Sequence, residues 1–131
     1  MSSAGKPSLL NPEQAARLDR LLRLWVEGKG YCYPDRTLDA VAARMGTEGY
    51  VLSLYLRENL GEDFRTWRNG LRVEEACRRL LEEPDLPTSA VGRACGFSDR
   101  SNFLHAFQAQ KGMTPTEWRA SQLSGEGQTK A

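Results

Sequence analysis

Apolar residues in this 131-residue chain recur every three or four positions, and Gly and Pro punctuate the runs. That spacing is the helical period. The first stripe is Leu18, Leu21, Leu22, Trp25 and Val26. Asn11-Pro12-Glu13 ahead of it supplies an N-cap, a proline at the first helical position and an early acid, and Gly28 and Gly30 end it. Tyr31 to Arg36, with Pro34, reads as a connection. Thr37 then caps a short helix over 38–45 with Leu38, Val41 and Ala42 inward, broken by Gly46. Val51, Leu52, Tyr55 and Leu56 predict a helix over 48–59, stopped by Gly61. Asp63 caps a longer helix over 64–82, carrying Phe64, Trp67, Leu71, Ala76 and Leu80 and closed by Pro84 and Pro87. A short helix over 88–95 ends at Gly96, Ser98 or Asp99 caps another running to Gln110, and Thr114 caps a last one over 115–120. No segment alternates with period two, so the expected fold class is all-α, with about seven helices.

The chain also repeats itself. Val41-Ala42-Ala43-Arg44-Met45-Gly46 matches Val91-Gly92-Arg93-Ala94-Cys95-Gly96 at an offset of 50. Leu52 and Leu56 match Phe103 and Phe107, Gly61 matches Gly112, and Trp67-Arg68 matches Trp118-Arg119, all at an offset of 51. Each copy reads as short helix, glycine turn, longer helix, glycine stop, with one extra residue in the second turn. Close crossing of two helices requires a small residue in the first and a glycine at the turn; Ala42 with Gly46 and Gly92 with Gly96 supply both. This is the helix-turn-helix pattern, whose second helix can enter a major groove, although structural helix pairs use the same devices. The helix between the copies would be roughly 27 Å long at ~1.5 Å per residue, a usable spacer for major grooves about 34 Å apart on one face of a duplex.

Composition changes this picture little. The chain is 40% hydrophobic and 27% charged, ordinary for a globular domain of this length. No apolar run approaches the ~20 residues of a membrane span. Residues 1–10 read as a flexible lead-in and 121–131 as a flexible polar tail. Cys32, Cys77 and Cys95 form no close pair in sequence, and with a single His there is no metal-ligand spacing; the expectation is buried free thiols in a reducing compartment. A net charge of +1 is small for a nucleic-acid binder but can hide a basic face. No paired-carboxylate, nucleophile–base or phosphate-loop pattern stands out, so no catalytic residue, metal or cofactor is assigned and an enzyme is not expected.

On a helix packed through Phe103 and Phe107, residues Arg100, Ser101, Leu104, His105 and Gln108 point away from the core. Tyr50, Ser53, Leu54 and Arg57 hold the matching face in the first copy. The helix over 64–82 carries Arg65, Arg68, Arg72, Arg78 and Arg79 between acids, which reads as a solvated face. The stretch Gly96-Phe97-Ser98-Asp99-Arg100-Ser101-Asn102-Phe103, then Phe107, then Lys111-Gly112-Met113-Thr114-Pro115-Thr116-Glu117-Trp118-Arg119 resembles the second unit of the AraC/XylS family, and Leu71 to Ala76 resembles its linker helix. The resemblance covers residues 37–119. It implies two helix-turn-helix subdomains joined by a linker helix, 11–81 and 82–120, in a cytoplasmic transcription regulator of double-stranded DNA. It implies base reading by Arg100, Ser101 and His105. Arginine can pair with guanine O6 and N7, and Leu104 either meets a thymine methyl or packs at the core edge. Gln108 and Lys111 are candidate phosphate contacts, as are the helix-start amides near Thr88 and Thr114.

The first unit departs from the family pattern. Leu54 stands where a basic reader is common, and Gly49 weakens the helix start. Two readings stay open there: base reading by this face, or phosphate contact by Tyr50 and Arg57. A protein-docking role on the same fold is the alternative function, and an exposed patch of Tyr50 and Leu54 would favour it. Family members commonly carry a sensor module, and RNA polymerase is a further implied partner. No sensor stands in these residues, which makes a longer regulator the expectation.

Overall fold

The computed structural model describes residues 9–35 and 37–125. Most of the expected lead-in, Arg36 and the end of the expected tail lie outside the described residues. Within them the chain is helical throughout, as its period predicts: α1 (Pro12–Glu27), α2 (Leu38–Met45), α3 (Gly49–Leu60), α4 (Phe64–Glu82), α5 (Thr88–Ala94), α6 (Arg100–Lys111) and α7 (Pro115–Gly125). A short 3-10 turn, Gly30–Cys32, runs into the start of the expected connection.

The chain divides into two compact units at Trp67 in α4, with Tyr31–Pro34 belonging to the second. The first unit buries Leu18 and Leu22 of α1 with Val41, Ala42, Val51, Leu52, Leu56 and Phe64. Trp25 stacks on Trp67, ring centroids 5.4 Å apart, at the edge of this core. α1 starts with a full capping box, in which Asn11 accepts from the Gln14 amide and the Gln14 side chain accepts from the Asn11 amide. Residues 9–10 are part of this unit rather than of a lead-in: Leu10 is buried in the core, and the Leu9 amide donates to the Glu58 carboxylate at 2.8 Å.

The second unit packs Val73, Ala76, Cys77 and Leu80 of α4 around Val91, Cys95, Phe97, Phe103 and Phe107. Phe103 and Phe107 meet edge to face, as do Phe107 and Trp118, arrangements worth about 0.5–1.5 kcal/mol each beyond their area. Most of α4 therefore belongs to the second core, and the unit boundary falls at Trp67 rather than after residue 81. α7 starts with a capping box between Thr114 and Glu117 and continues to Gly125, past the expected end at Ala120, so 121–125 is helix and not tail. Arg119 closes the far end of α4, donating to the Leu80 carbonyl at 3.0 Å and the Glu83 carbonyl at 3.2 Å.

The arginines of α4 form no common solvated face. Arg68 and Arg72 are buried. Arg72 donates to the carbonyls of Tyr31 (2.6 Å) and Tyr33 (2.8 Å) and lies over the Phe97 ring. Arg78 and Arg79 both pair with the buried Glu75 carboxylate. A buried carboxylate needs such partners, so these cations serve the fold.

Candidate nucleic-acid interface

The repeat seen in the sequence is a repeat of backbone geometry. At the first turn the Ala42 carbonyl accepts from Gly46 N at 2.9 Å and Thr47 N at 2.9 Å, with Gly46 at φ +91°. At the second, the Gly92 carbonyl accepts from Cys95 N at 3.2 Å and Phe97 N at 3.1 Å, with Gly96 at φ +103°. Both turns use a left-handed glycine and a bond from five residues on to close the helix. Each turn then delivers the chain into a twelve-residue helix, α3 or α6.

α6 is firmly seated. Asp99 caps it, accepting from the Asn102 amide at 2.8 Å, and Phe103, Ala106 and Phe107 are buried beneath it. On its opposite side Arg100, Ser101, His105 and Gln108 are exposed, and Leu104 is half-buried. The structure thus brings together the face expected from the sequence. Lys111 does not share that freedom: its ammonium pairs with Glu74 at 3.0 Å, and Gln110 donates to the same carboxylate. The pairing holds Lys111 protonated more firmly than an ordinary lysine.

α3 presents a different surface. Tyr50, 66% exposed, and Arg57 are open to solvent, and Ser53 is intermediate. Leu54 is half-buried and packs against the first core, so Tyr50 and Leu54 form no exposed apolar patch. Glu48 sits at the N-cap without making a capping bond. Its nearby carboxylate raises the pKa of the Tyr50 hydroxyl. Gly49 is buried, and a Cβ there would collide with the Asp39 carboxylate. Sequence reasoning missed Asp39 and Glu48 as the acids bracketing this helix start. The signal was in the repeat, where Asp39 stands opposite Ser89.

Among the described residues no ion pair engages Arg57, Arg93 or Arg100, which are all exposed. A net charge of +1 thus coexists with open cations on α3, α5 and α6, because Arg72, Arg78, Arg79, Arg119 and Lys111 are engaged internally. No helix among the described residues is long and apolar enough to cross a membrane.

A model of the family described as "Helix-turn-helix domain" matches residues 41–121, more than half of the chain. The chain belongs to the AraC-type helix-turn-helix family. It is 36% identical over 69 residues to the arabinose operon regulatory protein of Salmonella typhimurium, a match covering 53% of this chain and 24% of that protein. It is 29% identical over 99 residues to the HTH-type transcriptional activator RhaR of an Enterobacter species, covering 65% and 34% respectively. The match thus takes in about a quarter to a third of the length of these curated relatives, a regulatory protein and a transcriptional activator by name. Among solved structures, it resembles the C-terminal domain of AraT, a response regulator from Geobacillus stearothermophilus, with a TM-score of 0.70 and 26% identity, covering 87% of this chain and 88% of that one. It also resembles the DNA-binding domain of AdpA, determined with a target DNA, with a TM-score of 0.66 and 25% identity, covering 80% and 91%. In this AraC-type domain α3 and α6 correspond residue by residue at an offset of 51: Arg100, Ser101 and His105 stand where the first unit has Gly49, Tyr50 and Leu54.

Proposed function

We propose that this chain is the DNA-binding part of a transcription regulator and recognises double-stranded DNA by sequence, with α3 and α6 each entering a major groove. The observation that carries this reading is α6 itself: a capped helix fixed by Phe103 and Phe107, with Arg100, Ser101, His105 and Gln108 on its open side. Arg100 pairs with guanine O6 and N7, Ser101 and His105 hydrogen-bond to neighbouring base edges, Leu104 packs on a thymine methyl and Gln108 meets the backbone. α3 contributes differently. Arg57 and Tyr50 contact phosphates, and Ser53 lies between them; Gly49 and Leu54 have no polar group to offer a base. Family membership and the AdpA neighbour, a domain solved on its target DNA, support the reading. A sensor module and RNA polymerase are the protein partners such a regulator would use, and the cytoplasm is where it would act.

Selection of bound duplexes from a random pool tests this. The expected motif is one strongly preferred block read by α6, with α3 adding affinity but little sequence preference. Arg100→Ala should cost about 1–3 kcal/mol and relax the preference at one base pair, whereas Arg57→Ala should weaken all duplexes alike and reduce the salt slope by about one. No enrichment at low salt would overturn the proposal.

A further inference from the structure

Two of the three cysteines come together in the second unit. Cys95 directly follows α5, with its side chain fully buried in the second core. Cys32 ends the 3-10 turn, packs against the same core and stays partly open to solvent. The Cys32 side chain lies against the cluster that holds Cys95, and each thiol shifts the ionisation of the other. The backbones meet as well: a Cβ on Gly96 would come within 2.9 Å of the carbonyl oxygens of both Tyr31 and Cys32. Arg72 holds the chain on either side of Cys32 through the Tyr31 and Tyr33 carbonyls. Two cysteines against one core, on backbone segments held against each other, can reach bonding distance by side-chain rotation and a small backbone shift.

We propose that Cys32 and Cys95 form a reversible disulfide when hydrogen peroxide oxidises the protein, clamping the turn of the second helix-turn-helix unit to the 3-10 segment. The Cys32 thiolate attacks the peroxide: an S–O bond forms, the O–O bond breaks, and the leaving hydroxide takes a proton to become water. Cys95 then attacks the Cys32 sulfenic sulfur. The S–S bond forms, the S–O bond breaks, and a second water leaves with the Cys95 proton. Two thiols lose two electrons and the peroxide gains them.

The surroundings assign the order. The Cys95 thiol lowers Cys32 to about 7; burial and the Glu75 charge oppose the shift, and Arg79 and Arg72 favour it. The Cys32 thiol, with burial, pushes Cys95 up. Cys32, more open and more readily ionised, is therefore the attacking thiol, and Cys95 resolves. Cys77 is an internal control, because burial pushes its thiol up to about 11.

The consequence for DNA rests on the proposed function. Cys95 immediately precedes Gly96 and the approach to the Asp99 cap of α6, so drawing its sulfur onto Cys32 shifts the turn that places α6. Loss of about one good contact, or about tenfold in affinity, is the expected scale.

The reduced full chain would be treated with hydrogen peroxide, its remaining thiols blocked with N-ethylmaleimide, and the product mapped by mass spectrometry without reduction. The expected result is a chain with one maleimide adduct and two hydrogens fewer than that adduct alone gives, a peptide pair linking Cys32 to Cys95, and Cys77 blocked but unlinked. Dithiothreitol should reverse the link, Cys77→Ala should retain it, and Cys32→Ser should abolish it. Accumulation of Cys32 sulfinic acid without a link, links to Cys77, or links between chains would each overturn the proposal. Affinity for the selected duplex should fall about tenfold on oxidation and return with dithiothreitol. Equal affinity in the cross-linked chain would overturn the regulatory consequence, whereas a reduced chain that binds no duplex would count against the DNA reading and leave the cross-link standing.

Discussion

At matching positions the first unit has Ala42 on α2 and Leu52 on α3, while the second has Gly92 on α5 and Phe103 on α6. All four residues are buried. A Cβ on Gly92 would overlap the Phe103 ring. The second unit removes a methyl group from one helix and puts a larger ring on the other; the first keeps the methyl and uses the smaller leucine. Close packing enforces this trade, because an interior at crystal-like density cannot absorb an unmatched change in volume. The open faces obey no such rule, and there the units diverge, Arg100, Ser101 and His105 standing against Gly49, Tyr50 and Leu54. The scaffold is thus held in common by packing, while recognition chemistry varies where solvent lies on one side. Even so, two of these first-unit positions are not open: Gly49 is buried, and Leu54 packs against the first core.

The largest expected effect breaks the volume trade. Gly92→Ala should destabilise the chain by about 2–3 kcal/mol in urea unfolding, through overpacking against Phe103. Adding Phe103→Leu recreates the first unit's pairing and should recover most of that loss; simple addition of two destabilisations would show that the two positions do not share volume. Exchanging readers sharpens the contrast next. Leu54→His should cost about 1–2 kcal/mol by placing a polar ring against the first core. His105→Leu on the open face of α6 should stay within about 0.5 kcal/mol in the same measurement while still changing duplex preference. The smallest effect concerns the helix starts. Asp99→Ala removes a cap that bonds the Asn102 amide and should cost about 1 kcal/mol. Glu48→Ala removes no capping bond and should change stability by less than about 0.5 kcal/mol, as followed by circular dichroism through thermal unfolding.

Much of this was legible in the chain itself. The bounds of α2 and α4 follow from Thr37 and Gly46, and from Asp63 and the prolines after Glu82, because caps and breakers act within a few residues. The α6 face was legible because Phe103 and Phe107 fix the helix's orientation and all others follow from the period. The α4 arginines were not. Whether Arg72 points to water or to the carbonyls of Tyr31 and Tyr33 depends on a segment forty positions away in sequence, and no local rule covers that distance. Lys111 was misplaced for the same reason, its partner Glu74 lying on another helix.

The amino-acid pattern by itself therefore determined the helices, the duplicated helix-turn-helix plan, the family and the face of α6, since all of these rest on spacing along one helix or on the repeat. Only the tertiary structure decided which cations remain open, that Gly49 is buried and Leu54 packs against the first core, where the two cores divide along α4, and that Cys32 lies against the core that holds Cys95. Each of these depends on contacts between residues remote in sequence, and such contacts form only when the helices pack.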